Sequence, residues 1–163
     1  KFIGPSGLSL PFAVITDEDP SDNEEEDSLG IQRIRNLLDL LAPDELDRED
    51  STGNVLKLAA ANGVFMTEHT LEVALFKSGR KNSFEATMRG LSANAAAKRR
   101  AAKWKDDSDS LDPERMLGDI AEIGKGRFAQ RWANSILTAP KRSTCCPTAI
   151  KGAIEHVVAS LAK

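Results

Sequence analysis

The stretch that most limits what this chain can become is Phe12-Ala13-Val14-Ile15-Thr16-Asp17-Glu18-Asp19, a largely apolar run that leads into carboxylates two positions apart. A short, partly β-branched apolar run reads as a buried strand, and one that closes in acids reads as a strand ending in a pocket. Side chains alternate along a strand, so Asp17 and Asp19 are expected on one side, close enough to share a cation. Like charges held that close push each other's pKa upward unless a metal or a base sits between them. A hard, oxygen-seeking divalent ion such as Mg2+ resolves the conflict. The plainer alternative is a helix cap or a solvated loop, which strand-end acids also form.

With 163 residues the chain is long enough for one domain with a real core and short for two. Its 40% apolar and 29% charged residues are those of a globular protein. No window approaches a membrane-spanning apolar run. The opening Lys1-Phe2-Ile3-Gly4 has neither Met nor a signal-peptide core, and reads as the start of a piece excised from something longer. Cys145 and Cys146 are adjacent and fit a reduced cytosolic pair better than a disulfide or a zinc site. His69 and His156 are too few and too separated for a His-rich metal cluster.

The net charge of −3 hides an uneven distribution. Residues 17–50 hold fourteen acids against three bases, while 77–142 hold fifteen bases against eight acids. That polarity suits an acidic metal centre with a basic flank for a polyanion, although two ordinary solvated faces give the same pattern.

Along the chain, Gly4-Pro5-Ser6-Gly7 reads as a turn into a strand at about 11–16, followed by an acidic loop over 19–27. Ile31, Ile34, Leu37, Leu38 and Leu41 repeat at three and four, predicting a helix over 29–41 with Ser28 as N-cap and Ala42-Pro43 as its stop. Residues 44–54 read as a loop or one irregular turn, and Leu56 to Ala61 as an apolar patch of either type. Asn62-Gly63 turns the chain into a second strand, Val64-Phe65-Met66-Thr67. Thr70 is positioned to cap a following helix with Glu72 in its first turn. Beyond that the pattern is helical: 83–104, a helix opened by Asp112 and Pro113, one over about 128–137, and one over about 147–161. Trp132 reads as core, and Trp104 as packed or stacking.

Two strand ends with acids, Asp17/Asp19 and Glu68/Glu72, converge if the strands lie parallel, because ligands of open α/β sheets bind beyond the carboxyl ends of strands. Carboxylates gathered there need cations, one or two Mg2+ or Mn2+ ions, which activate water and neutralise charge on a phosphate. Gly124-Lys125-Gly126-Arg127 lets backbone approach an anion and offers Lys125 to a phosphoryl oxygen. It is not a P-loop, since GxxxxGK[ST] is absent. Lys98, Arg99, Arg100 and Lys103, with Arg127, are candidates to follow a nucleic-acid backbone.

Together these segments resemble the TOPRIM domain of the OLD (overcoming lysogenization defect) family of ATPase-linked nucleases, over about residues 11–139. Val14-Ile15-Thr16-Asp17-Glu18-Asp19-Pro20 matches the TOPRIM Asp-x-Asp motif. Phe65-Met66-Thr67-Glu68-His69-Thr70-Leu71-Glu72 resembles the family's second acidic segment with its Thr-Leu-Glu core, and Gly124 to Gln130 its C-terminal lysine motif. Asp-x-Asp alone is common; the ordered trio is fairly specific. The resemblance implies an α/β fold with a small, mainly parallel sheet flanked by helices and a helical C-terminal part. Residues 1–80 would form the metal-binding core and 81–163 the helical remainder of the same catalytic region.

The implied activity is a cytoplasmic, Mg2+- or Mn2+-dependent endonuclease that cuts or nicks DNA by two-metal phosphodiester hydrolysis. By that carry-over Asp17 and Asp19 ligate metal, and Glu68 and Glu72 complete or support a second ion. Thr70 contacts metal water or phosphate, and Lys125 stabilises transition-state charge. TOPRIM domains usually begin with a strand closing in Glu-Gly, and nothing before Asp17 supplies that glutamate. The element is expected upstream, and a chain lacking it is expected to bind metal poorly and cleave slowly. The family's ATPase half, through which oligomers would form, is also expected upstream on the same polypeptide. The alternatives are another TOPRIM chemistry such as a primase, a non-catalytic nucleic-acid-binding or interaction module, and a phosphatase with Asp17 as nucleophile. With no Tyr in the chain, an in-chain topoisomerase nucleophile is excluded.

Overall fold

Strands β1 (Val14–Asp17) and β2 (Val64–Thr67) pair in parallel, with Val14 opposite Val64 and Asp17 opposite Thr67. They form a two-stranded sheet in a computed structural model that describes residues 10–19, 27–48, 51–138 and 145–162. The expected turn at Gly4–Gly7 and most of the acidic loop, 20–26, lie outside those residues. Helices α1 (Leu29–Leu41), α2 (Pro43–Leu46) and α3 (Thr52–Ala61) join the two strands. After β2 come α4 (Leu71–Leu75), a π-helical stretch Phe76–Arg80, α5 (Lys81–Leu91), α6 (Ala95–Asp106), α7 (Pro113–Ile123), α8 (Lys125–Thr138) and α9 (Thr148–Leu161). The chain divides into two compact units, Lys1–Leu71 with Thr148–Lys163, and Glu72–Pro147.

In the first unit the parallel pairing requires a crossover, and α1 to α3 supply it. Ser28 caps α1 as its pattern predicts, its Oγ accepting from the Ile31 N–H at 3.3 Å. Ile31, Ile34 and Leu38 then fall on one buried stripe. Ile34, Leu38, Val55, Ala59 and Val64 form the core, with Val14 and Met66 of the strands packed on it. Each fully buried aliphatic side chain contributes about 1.5–3 kcal/mol.

The expected loop over 44–54 is much shorter than the acidic composition suggests. Pro43 opens α2, and Ser51 opens α3 by accepting from the Asn54 N–H at 3.2 Å. The apolar patch after Leu56 is therefore helical, with Val55 and Ala59, four apart, on its buried face. Helix α9 packs on β2 and β1, so the last helix belongs with the sheet rather than with the other C-terminal helices.

The second unit is all helix among its described residues, and Phe84 is its hub. The Phe84 ring meets Phe76, Phe128 and Trp132 at centroid distances of 5.3, 5.4 and 5.5 Å. Such pairs add about 0.5–1.5 kcal/mol each beyond area burial. The Trp132 indole N–H donates to Ser83 Oγ at 2.9 Å, which satisfies its one polar group inside the core. The single helix predicted over 83–104 is two. Ser92 turns extended after α5, and Asn94 caps α6 by accepting from the Ala96 and Ala97 N–H groups. Upstream, Gly79 takes φ 103, a left-handed conformation that glycine adopts without strain, and so kinks the π-helical stretch.

Gly30 is where the first unit is least forgiving. A Cβ there would stand 2.5 Å from the Asp17 carbonyl oxygen and 2.7 Å from the Glu18 Cα, both backbone atoms. Gly30→Ala is expected to lower stability by about 1–3 kcal/mol in denaturant titrations, the usual cost of forcing atoms into a packed contact. Gly118→Ala, on an exposed α7 position with nothing within 4 Å, is expected to raise it by up to about 1 kcal/mol.

Candidate active site

Strand β1 ends at Asp17, and its last side chain is held by the partner strand. The register that sets Asp17 opposite Thr67 lets the Thr67 hydroxyl donate to Asp17 Oδ1 at 2.9 Å. Thr67 is 2% exposed, so the bond is shielded from water. Among the described residues no other side-chain hydrogen bond to this carboxylate is seen.

The next two residues leave the strand. The Glu18 N–H donates to the His69 carbonyl at 2.9 Å, and the His69 N–H returns a bond to Glu18 Oε2 at 2.8 Å. Asp19 then turns to φ 43. Period-two alternation therefore does not reach Asp19. Its Oδ2 accepts from Arg33 Nη1 at 2.7 Å, with both side chains more than a third exposed. An ion pair that open to water is worth about 0–1 kcal/mol and exchanges readily for another cation.

Helix α1 begins against this turn. The Gly30 N–H donates to the Glu18 carbonyl at 2.7 Å and the Leu29 N–H to the Asp19 carbonyl at 3.2 Å. Two orphan donors of the helix start are thereby satisfied, and the positive end of the α1 dipole lies beside three acids. Gly30 is what allows the approach.

Strand β2 delivers the second acidic segment to the same end of the sheet. Glu68 follows Thr67 and is exposed, and His69 adopts φ 55. Thr70 sits where it was expected to cap α4, but its hydroxyl makes no cap bond. The Thr70 Oγ1 atom is buried without a hydrogen-bond partner. Glu72 lies in the first turn of α4, as expected, and begins the second unit.

Lys125 is the first residue of α8, directly after Gly124, whose φ of 95 ends α7. Lys125 and Arg127 are exposed with no ion-pair partner among the described residues. The basic helix α6 divides. Arg99 and Lys103 are exposed and Lys98 half-buried, and none has a carboxylate partner among the described residues. Arg100 is committed elsewhere: its Nε donates to Asp119 Oδ2 at 2.9 Å and its Nη2 to Oδ1. Those bonds hold the guanidinium pKa above its ordinary value. Asp119 is 1% exposed, so the pair is a buried tie between α6 and α7 rather than a phosphate contact. Trp104 is 3% exposed and packs in the core, which withdraws it from stacking on a base.

The donor set is one of hard oxygens, the chemistry of Mg2+ or Mn2+. Among the described residues no three His, Cys, Asp or Glu side chains gather around one point. The unpartnered Thr70 hydroxyl is consistent with a ligand belonging beside β2, since buried polar atoms seldom go unsatisfied. Sequence reasoning missed Thr67, Glu18, Arg33 and Asp119. Only Thr67, a hydroxyl closing a buried strand, gave any signal.

No family model and no curated protein matches the sequence. Solved structures do. The chain is similar to the C-terminal region of the Burkholderia pseudomallei OLD protein, with 34% identity and a TM-score of 0.82 over 98% of this chain and 76% of that one. It is also similar to the C-terminal region of the Xanthomonas campestris pv. campestris OLD protein, with 32% identity and a TM-score of 0.74 over 98% and 72%. No described helix is long and apolar enough to cross a membrane.

The division within α6 is testable by stability. Arg100→Ala leaves the buried Asp119 charge with only the longer 3.9 Å contact from Arg115 and is expected to cost up to about 3–5 kcal/mol in urea unfolding. Lys103→Ala, at an exposed site, is expected to change it by less than about 0.5 kcal/mol.

Proposed function

The chain belongs to the OLD protein family, and from that premise we propose that it is the catalytic, nuclease part of a larger protein, cutting or nicking DNA with divalent metal. The observation that carries the reading is the end of β1, where Asp17 to Asp19 lie beside the end of β2 and under the α1 N-terminus. Open α/β sheets bind ligands at that end of their strands.

In this reading Asp17, held by Thr67, and Asp19, released from Arg33, are the Mg2+ or Mn2+ ligands, with Thr70, Glu68 and Glu72 supporting a second ion. A divalent ion bound there lowers the pKa of a water and neutralises charge on the scissile phosphate. The chain's own contribution is orientation. Thr67 fixes the Asp17 carboxylate, and the α1 N-terminus abuts the turn that carries the acids. Lys125 meets the charge that grows on phosphorus-bound oxygen as water attacks and the P–O bond to the leaving strand breaks. Arg127, Lys98, Arg99 and Lys103 track the DNA backbone, while Arg100 holds α6 in place. An ATPase domain on the same polypeptide would govern the activity in the cytoplasm. The second reading, a nucleic-acid-binding module without catalysis, is favoured by the lack of a three-carboxylate cluster among the described residues.

With Mg2+ or Mn2+ and supercoiled plasmid, the protein is expected to give nicked and linear products that EDTA abolishes. Asp17→Ala and Lys125→Ala should each slow cleavage about 100-fold or more, the scale of losing one charge-stabilising group. Undiminished nicking by the variant with Ala at both 17 and 19 rules the nuclease assignment out. Binding without cleavage under every metal tried selects the second reading.

A further inference from the structure

Between α5 and α8, inside the second unit, lies an open cavity of about 350 Å³ lined by Ala86, Thr87, Arg131, Asn134, Ser135 and Thr138. None of these residues enters the catalytic reading above. Helix α8 carries three cations, Lys125, Arg127 and Arg131, and not one carboxylate. Arg127, Arg131, Asn134 and Thr138 follow each other at four, three and four residues, which places them on one stripe of the helix. Arg131 is exposed and has no ion-pair or hydrogen-bond partner for its side chain among the described residues.

The hydroxyls of the cavity have already given their protons away. Thr87 Oγ1 donates to the Ser83 carbonyl and Ser135 Oγ to the Trp132 carbonyl, both at 2.8 Å, and Thr138 Oγ1 to the Ser135 carbonyl at 3.1 Å. Donors toward a ligand therefore come from the Arg131 guanidinium and the Asn134 amide, the pair that a phosphate oxygen accepts from. A peptide would need apolar anchors, and among the lining residues Ala86 alone is apolar.

We propose that this groove binds the phosphodiester backbone of a DNA strand, with Arg131 as its principal phosphate contact and Asn134 beside it. It would act as a sequence-independent docking track on α8 that continues the basic stripe from Arg127. The proposal rests on the nuclease reading and adds to it a second surface that holds the substrate.

The test is binding without chemistry: fluorescence anisotropy of the whole protein with a short labelled DNA duplex in EDTA, across a salt series. Arg131→Ala is expected to weaken binding about five- to tenfold at low salt and to reduce the slope of log K against log salt by about 1. Arg131→Lys should restore the slope, since it keeps the charge. Lys151→Ala, an equal charge loss on α9, should leave both unchanged. Parent-like affinity and slope in Arg131→Ala overturn the groove, and if Asp17→Ala still abolishes cleavage the nuclease reading stands. Absence of DNA binding by the parent protein overturns both.

Discussion

The parallel registry of two four-residue strands governs the geometry of the acidic end of this protein. It sets Thr67 opposite Asp17, and so turns a strand-end carboxylate into an oriented one. It also brings His69 alongside Glu18, where one backbone–backbone bond and one from the His69 N–H to the Glu18 carboxylate fold the chain out of the strand. A sheet this narrow has little ladder energy of its own. Its position comes from α1, α3 and α9 packing around it, and from the helix start that Gly30 allows to touch strand backbone. Three acids in three residues would repel one another in solvent. Here Thr67, the His69 N–H and Arg33 each take one, with the α1 dipole behind them.

The second unit solves a different problem, which is to display cations from a helical frame. Phe84 and its three aromatic neighbours supply the core, and Arg100 with Asp119 ties α6 to α7 from within. Beyond that pair, Arg99 and Lys103 of α6 and Lys125, Arg127 and Arg131 of α8 are exposed with no ion-pair partner among the described residues. Charges a domain does not need for its own stability are those most readily given to a polyanion.

Much of this was readable from residue order. The β1 and β2 strands, the α1 boundaries with Ser28 as cap, and the Asp112-Pro113 start of α7 follow from local patterns and hold in the structure. The failures are also physical. Residues 44–54 looked like loop because acids cannot pack, yet Ser51 caps a helix whose pattern rests on Val55 and Ala59. The helix expected over 83–104 breaks at Ser92 because an Asn94 side chain offers the α6 N–H groups a better partner than a continuing turn. Alternation assigned Asp19 to the side of Asp17 on the assumption that the strand runs on. It ends at Asp17, and Asp19 turns to φ 43 while the Glu18 and Asp19 N–H groups both reach the His69 carbonyl.

Local sequence by itself determined the element types, the acidic and basic poles, and the presence of acids at the ends of two apolar strands, because periodicity, capping and charge are properties of neighbours in the chain. Tertiary structure alone decided which of those charged groups remain free to act. Arg100 and Lys103 are alike in sequence, and only the packing of α6 against α7 buries Asp119 against one and leaves the other in water. Asp17 and Asp19 are likewise equivalent by spacing, and only a threonine fifty residues on and an arginine on α1 make one an oriented carboxylate and the other an exposed ion pair. Charge is written residue by residue, but its availability depends on which distant partner reaches it first.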